Sequence, residues 1–142
     1  MATRSMIGII NADNTVEVVY CHSDGYPEYM TNMLSHYYQT EDIAKELVAL
    51  GDISRLEMKL APSTGKHSYE HPEPDVTVAY VRDRGEMWEY NKPRHYDSAD
   101  ELFQKENWCL YFYLYDVKTQ CWTYKTMDSN EKKIFRDKVT EE

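Results

Sequence analysis

The stretch that most constrains this fold is Val19-Tyr20-Cys21-His22-Ser23-Asp24-Gly25-Tyr26-Pro27-Glu28. An apolar β-branched run must end here and a helix must begin. Gly25 with Asp24 makes the turn, and Pro27 suits a first helical position, where its missing N–H costs nothing. Glu28 then sets a negative charge against the positive end of the helix dipole. Upstream, Met6 to Ile10 and Thr15 to Tyr20 read as two strands joined by the polar turn Asn11-Ala12-Asp13-Asn14, which makes a hairpin. Downstream, Met30, Met33, Leu34 and Tyr37 fall on one helical face. That helix is expected to stop near Gln39. Thr40 caps a second one, whose apolar face is Ile43, Ala44, Leu47, Val48 and Leu50, with Gly51 just past its end.

From Asp52 to about Pro74 no period survives, so a long surface loop is expected, poorly ordered and of a length that hints at function. Val76 to Val81 reads as a strand closed by Arg82-Asp83-Arg84-Gly85-Glu86. Met87 to Tyr96 is aromatic and irregular. Ser98 with Glu101 forms a capping box before Leu102 and Phe103. In Trp108 to Tyr115, Leu110, Phe112 and Leu114 alternate with Tyr111, Tyr113 and Tyr115. The aliphatic set is expected to face the core and the tyrosines the opposite face. Gln120 to Lys125 returns as a hairpin partner. Asp128 or Ser129 opens a last helix carrying Ile134, Phe135 and Val139.

The element order β-β-α-α-loop-β-α-β-β-α predicts an α+β fold, with a mainly antiparallel sheet of about five strands and helices on one face. At 142 residues the chain is expected to be a single domain, 1–142. Its net charge is −9 and no basic run exists, which argues against direct nucleic-acid binding. Either the acidity is ordinary solubility or it serves an acidic face that docks on a basic protein. Met6 to Ile10 is too short for a membrane span or a secretory signal. Three cysteines without CxxC spacing suit a reducing cytosol, with Cys109 and Cys121 expected as small buried thiols near the second hairpin.

Four chemistries fit the residues. Cys21 could be a nucleophile at a strand-to-helix junction. Its neighbour His22 points the other way along a strand, so the base would have to be His36, His67, His71 or His95. His67, His71, His22 and Asp24 contain metal-ligand types but no supporting spacing, so no metal or other cofactor is expected. The turn residues Cys21, His22, Asp24 and Tyr26, with Arg82, Asp83 and Arg84, form a candidate small-ligand or nucleotide site if the two turns meet. The plain alternative is an ion-paired turn. Finally, Tyr111, Tyr113, Tyr115, Trp122 and Tyr124, with Trp88 and Tyr90, form a candidate protein interface, which a homodimer would also bury, provided no helix covers that face.

The residues Ile7-Gly8-Ile9, Asn14-Thr15-Val16, Tyr20-Cys21-His22 with Asp24-Gly25-Tyr26-Pro27, Gly51-Asp52-Ile53-Ser54, and Val76 to Tyr80 leading into Arg82 to Glu86 resemble a family of small accessory proteins of tailed bacteriophages and mobile elements. Where that family has an aromatic residue between His and Asp, this chain has Ser23. The resemblance brings no catalytic role with it. It implies an accessory protein in the host cytoplasm that binds and modulates a host protein or defence complex.

Overall fold

In the computed structural model the described residues are 2–127 and the backbone of 132–134. The strands are β1 (Ser5–Ile10), β2 (Val16–Cys21), β3 (Ile53–Arg55), β4 (Val78–Ala79), β5 (Arg94–Tyr96), β6 (Tyr111–Asp116), β7 (Cys121–Thr126) and β8 (Lys132–Ile134). The helices are α1 (Pro27–Tyr37), α2 (Glu41–Ala49), α3 (Tyr80–Arg84), α4 (Trp88–Asn91) and α5 (Ala99–Lys105). The fold is α+β. Seven strands run in the order β4-β3-β2-β1-β6-β7-β8, and β5 joins as a further partner of β2. The sheet is mixed: β1 lies parallel to β6 and β2 parallel to β3, whereas the remaining pairings are antiparallel.

β1 is the middle strand, and all its residues are buried. Ile7 and Ile9 point into a core with Val19 and Cys21 of β2, Met30 and Leu34 of α1, and Ala44 and Leu47 of α2. Met6 and Ile10 point into a second core with Val16, Val18, Phe112, Leu114 and Leu102 of α5. Helices therefore cover both faces, not one. At Gly8 an added Cβ would lie 2.2 Å from the Glu17 carbonyl oxygen, so only glycine admits this close strand approach.

The predicted alternation of β6 holds, but its tyrosine face is itself a core and not an open surface. Tyr113 and Tyr115 sit in the α1/α2 core with Trp122 of β7, while Phe112 and Leu114 fill the α5 core. Leu110, expected inside, is exposed. Two cores explain this, because neither face of the strand is left for water. Two of the buried rings reach backbone carbonyls with their polar tips: the Tyr113 hydroxyl donates to Gly25 O at 2.7 Å and Trp122 Nε1 to Tyr38 O at 2.7 Å.

Other elements also differ. The α1 face turns inward at Met30, Leu34 and Tyr38, leaving Tyr37 exposed. Val76 to Val81 shortens to β4, and α3 begins at Tyr80. Gly85, at φ 77°, ends α3 in the left-handed region. Part of Met87 to Tyr96 is regular after all, as α4 and β5. The 52–74 connector opens with β3. In place of the last predicted helix, Lys132–Ile134 pairs with β7 as a strand. The expected start at Asp128 or Ser129, and Phe135 and Val139, lie outside the described residues. The Ser98 cap on α5 holds: Glu101 N donates to Ser98 Oγ at 3.1 Å, and the Glu101 carboxylate accepts from Asp97 N.

β2 has an unusual outer edge, shared by β5 at Val16–Val18 and β3 at Cys21. Between them the Tyr20 N–H has no strand carbonyl to meet. The buried Asp52 carboxylate accepts it at 2.8 Å and also takes both Arg94 amino groups, at 2.9 and 3.2 Å. That pairing raises the Arg94 pKa.

Tyr113→Phe removes the hydroxyl that donates to the Gly25 carbonyl. It should destabilise the protein by about 1–3 kcal/mol, read as a lower urea midpoint at unchanged slope. An unchanged midpoint would show that the tyrosine is held by packing alone.

Candidate functional site

The turn after β2 extends the parallel pairing with β3: His22 N donates to Ile53 O and Ser23 N to Ser54 O. Asp24, not Gly25, takes the left-handed conformation, at φ 57°. Gly25 is required for another reason. Its N–H donates to Thr3 O, and a Cβ there would lie 2.6 Å from Ser5 Cβ and Oγ.

Cys21 is fully buried. Burial pushes its thiol up to about 12, and it donates to Ser23 O at 3.4 Å. A thiol held neutral and out of reach is no nucleophile. Cys109 and Cys121 are likewise free and buried. His22 is half-buried on the opposite face, its Nδ1 bonded to the Tyr20 hydroxyl at 2.7 Å. Tyr26, the residue before α1, is exposed.

The two polar turns do not face each other as ligands would. The arginine that meets Asp24 is Arg55, with Nε 3.3 Å from Asp24 and 2.6 Å from Glu57. Arg82 instead donates to Leu60 O and Thr77 O, and its Nε contacts Asp83 at 2.8 Å. Asp83 also accepts the Ala79 N–H at 2.8 Å. His67 Nε2 lies 3.1 Å from Asp83, close enough for an ion pair but off the line of a hydrogen bond. Both the His67 and Asp83 side chains are almost wholly enclosed. Burial works to raise the Asp83 pKa, but Arg82, the Ala79 N–H and His67 outweigh it, so the carboxyl stays lowered. Arg84 stacks over the Tyr69 ring at 4.5 Å and pairs with Glu86.

These contacts make Arg82 and Asp83 a clasp rather than a ligand site. They tie α3 to the long segment expected to be poorly ordered. Glu73 completes the clasp. Its carboxylate accepts the N–H groups of Ser63 and Thr64, and its own N–H donates to His67 Nδ1 at 2.9 Å. The Ser63 and Thr64 bonds hold the Glu73 pKa down to about 2. Nothing in the local sequence groups Arg55, His67, Tyr69 and Glu73. Their only local signal was the unusual length of the connector.

The clasped segment forms one wall of a groove of about 560 Å³. His22, Ser23 and Asp24 line one side, Ser54 and Arg55 the floor strand, and Tyr69 the loop side. Arg82, Asp83 and Arg84 do not line it. Among the described residues no group of His, Cys, Asp or Glu is placed to hold a metal ion.

The interface candidates divide sharply. Tyr113, Tyr115 and Trp122 are buried, and Tyr111 and Tyr124 are half-buried against the same core, so that strip is not a surface. Trp88 is exposed, together with Met87 and Tyr90. No helix among the described residues is long and apolar enough to cross a membrane.

Acid should loosen the clasp. Glu73 titrates lower in the folded chain than its ordinary 4.5, so its stabilisation is complete above that value and is lost as pH falls toward about 2. Hydrogen-exchange protection across 61–75, taken relative to the intrinsic rate at each pH, should fall in acid, and Glu73→Gln should show that lowered protection already at neutral pH. Equal protection in both proteins would exclude Glu73 as the fastener. Asp83→Ala, which strands the Ala79 N–H and unpairs His67, should cost roughly 3 kcal/mol of global stability.

No protein-family model, no curated protein and no solved structure matches this chain.

Proposed function

We propose that this chain is a non-enzymatic accessory protein, of the bacteriophage and mobile-element kind its motifs resemble, that docks on a host protein or defence complex in the host cytoplasm and modulates it. The observation that carries this reading is α4. In a protein that buries its sheet aromatics, this four-residue helix and the residue that precedes it hold Met87 at 61%, Trp88 at 42% and Tyr90 at 76% exposure. Exposed aromatic and methionine side chains grouped on a rigid support are typical interface anchors. The support is firm: Asn91 O accepts the Asp52 N–H at 2.7 Å, and Trp88 lies against Gly51. Glu86 and Glu89 beside the knuckle are paired with Arg84 and Lys92, so it is the chain's net charge of −9 that favours a basic protein, one presenting an apolar pocket to the knuckle.

A second reading rests on the His22–Asp24–Arg55–Tyr69 groove, whose volume falls in the range of small-ligand sites. It would make the protein a sequestering binder of a nucleotide signal or a small hydrolase.

Affinity capture from host lysate separates the two readings. The wild-type chain should retain a partner that Met87→Ser/Tyr90→Ser loses at equal melting temperature, and added salt should weaken the capture. Sedimentation of the purified chain identifies a second copy of itself as the occupant. Identical capture by both proteins, or none by either, overturns the docking reading. For the groove, thermal shift with nucleotides and divalent metals should rise with the logarithm of ligand concentration. A flat response removes that reading.

A further inference from the structure

The two parallel strands at the centre of the sheet start apart. β1 and β6 pair from Ser5 and Tyr111 onward. Ahead of that register the chain segments diverge, and a cleft of about 550 Å³ opens between Thr3-Arg4 and Trp108-Leu110. Cys109 closes its floor. That thiol is buried, which pushes it up to about 11 and leaves it chemically quiet.

The rim of the cleft is where the chain departs from its own habits. Trp108 is 48% exposed and Leu110 54%. Trp108 is nevertheless held in place: its Nε1 donates to Glu106 Oε1 at 2.6 Å, and the other Glu106 oxygen accepts the Tyr96 hydroxyl. Its ring also tilts against Tyr20, centroids 6.0 Å apart. An indole fixed by a carboxylate and still half in water presents a ready-made stacking surface. Beside it stands Arg4, exposed and without an ion-pair partner among the described residues. Acids outnumber bases 25 to 16 here, so an arginine left unpaired at the mouth of a cleft is a specific feature.

We infer that this cleft binds a small aromatic anion, its ring on Trp108 and Leu110 and its phosphate or carboxylate on the Arg4 guanidinium. A stacking surface and an anion-binding fork side by side recognise a molecule that carries both groups on one short frame. Nucleoside monophosphates and aromatic carboxylates share that chemistry. The site is distinct from α4, and its occupation does not depend on the docking reading.

Calorimetric titration of the full chain with adenosine 5′-monophosphate and with indole-3-carboxylate tests this. At least one should bind saturably, and which of them binds tighter assigns the source of the anion. Adenosine and inorganic phosphate, the separate halves of the nucleotide, should each bind at least about tenfold more weakly. Arg4→Gln and Trp108→Leu should each weaken binding about tenfold, the size expected for one charged hydrogen bond or one stacked ring. Arg4 is exposed, so its variant keeps the wild-type melting temperature and decides the matter if Trp108→Leu proves unstable. No binding of either probe into the millimolar range, or binding that Arg4→Gln leaves intact, overturns the site.

Discussion

The pairing of β1 with β6 is the constraint on which the rest of the molecule depends. It joins residues about a hundred positions apart, in parallel, at the centre of the sheet. A parallel pair needs a crossover, and here the crossover is most of the chain. Everything between Ile10 and Tyr111 must wrap around both faces of β1 and return. Consequently β1 has no solvated side, and two cores form where a simple one-sided sheet would make one. Gly8 is the local cost of this arrangement, the only residue type that lets β2 approach so closely.

That double burial explains the tyrosines. On a one-sided sheet the alternation of aliphatic and aromatic residues in β6 would sort oil from water. Between two cores it sorts one core from the other, with Phe112 and Leu114 under α5 and the tyrosines under α1 and α2. Burying phenols requires partners for their hydroxyls, and backbone carbonyls freed at turns and helix ends provide them. Tyr113 reaches Gly25, Tyr38 reaches Glu57, and Tyr29 reaches Leu56. Each bond ties a core ring to the chain around the strand-to-helix turn or the loop after β3, so the core and the groove wall are one construction.

What the sequence made legible follows from how local each signal is. The hairpins, the Thr40 and Ser98 caps, Pro27 and the two long helices are set by residues within a few positions of each other, and they stand where their chemistry put them. The facing of Tyr111 to Tyr115 had no such signal, because both alternating sets are apolar and either can be buried. Arg82-Asp83-Arg84 was ambiguous for a related reason. A charged turn reads the same whether it faces water, a ligand or another loop, and only the return of His67 to Asp83 decides it. Likewise Asp24 carries no mark that its arginine would be Arg55, three strand residues along β3, rather than Arg82.

The candidate sites then sort by the same test of what each exposed group gives up. A surface charge in an ion pair gives up little, and Arg82, Arg84 and Arg94 all have carboxylate partners. A large ring left in water forgoes roughly 2 kcal/mol of burial. This chain shows that it can bury rings with their polar tips satisfied, so Tyr26, Tyr37, Trp88, Tyr90 and Trp108 are exceptions to its own pattern. Both tryptophans are also braced from behind, by Gly51 and by Glu106, which keeps them from collapsing inward. An unbraced surface ring would lie down on its neighbours. A braced one holds its shape for something else to cover.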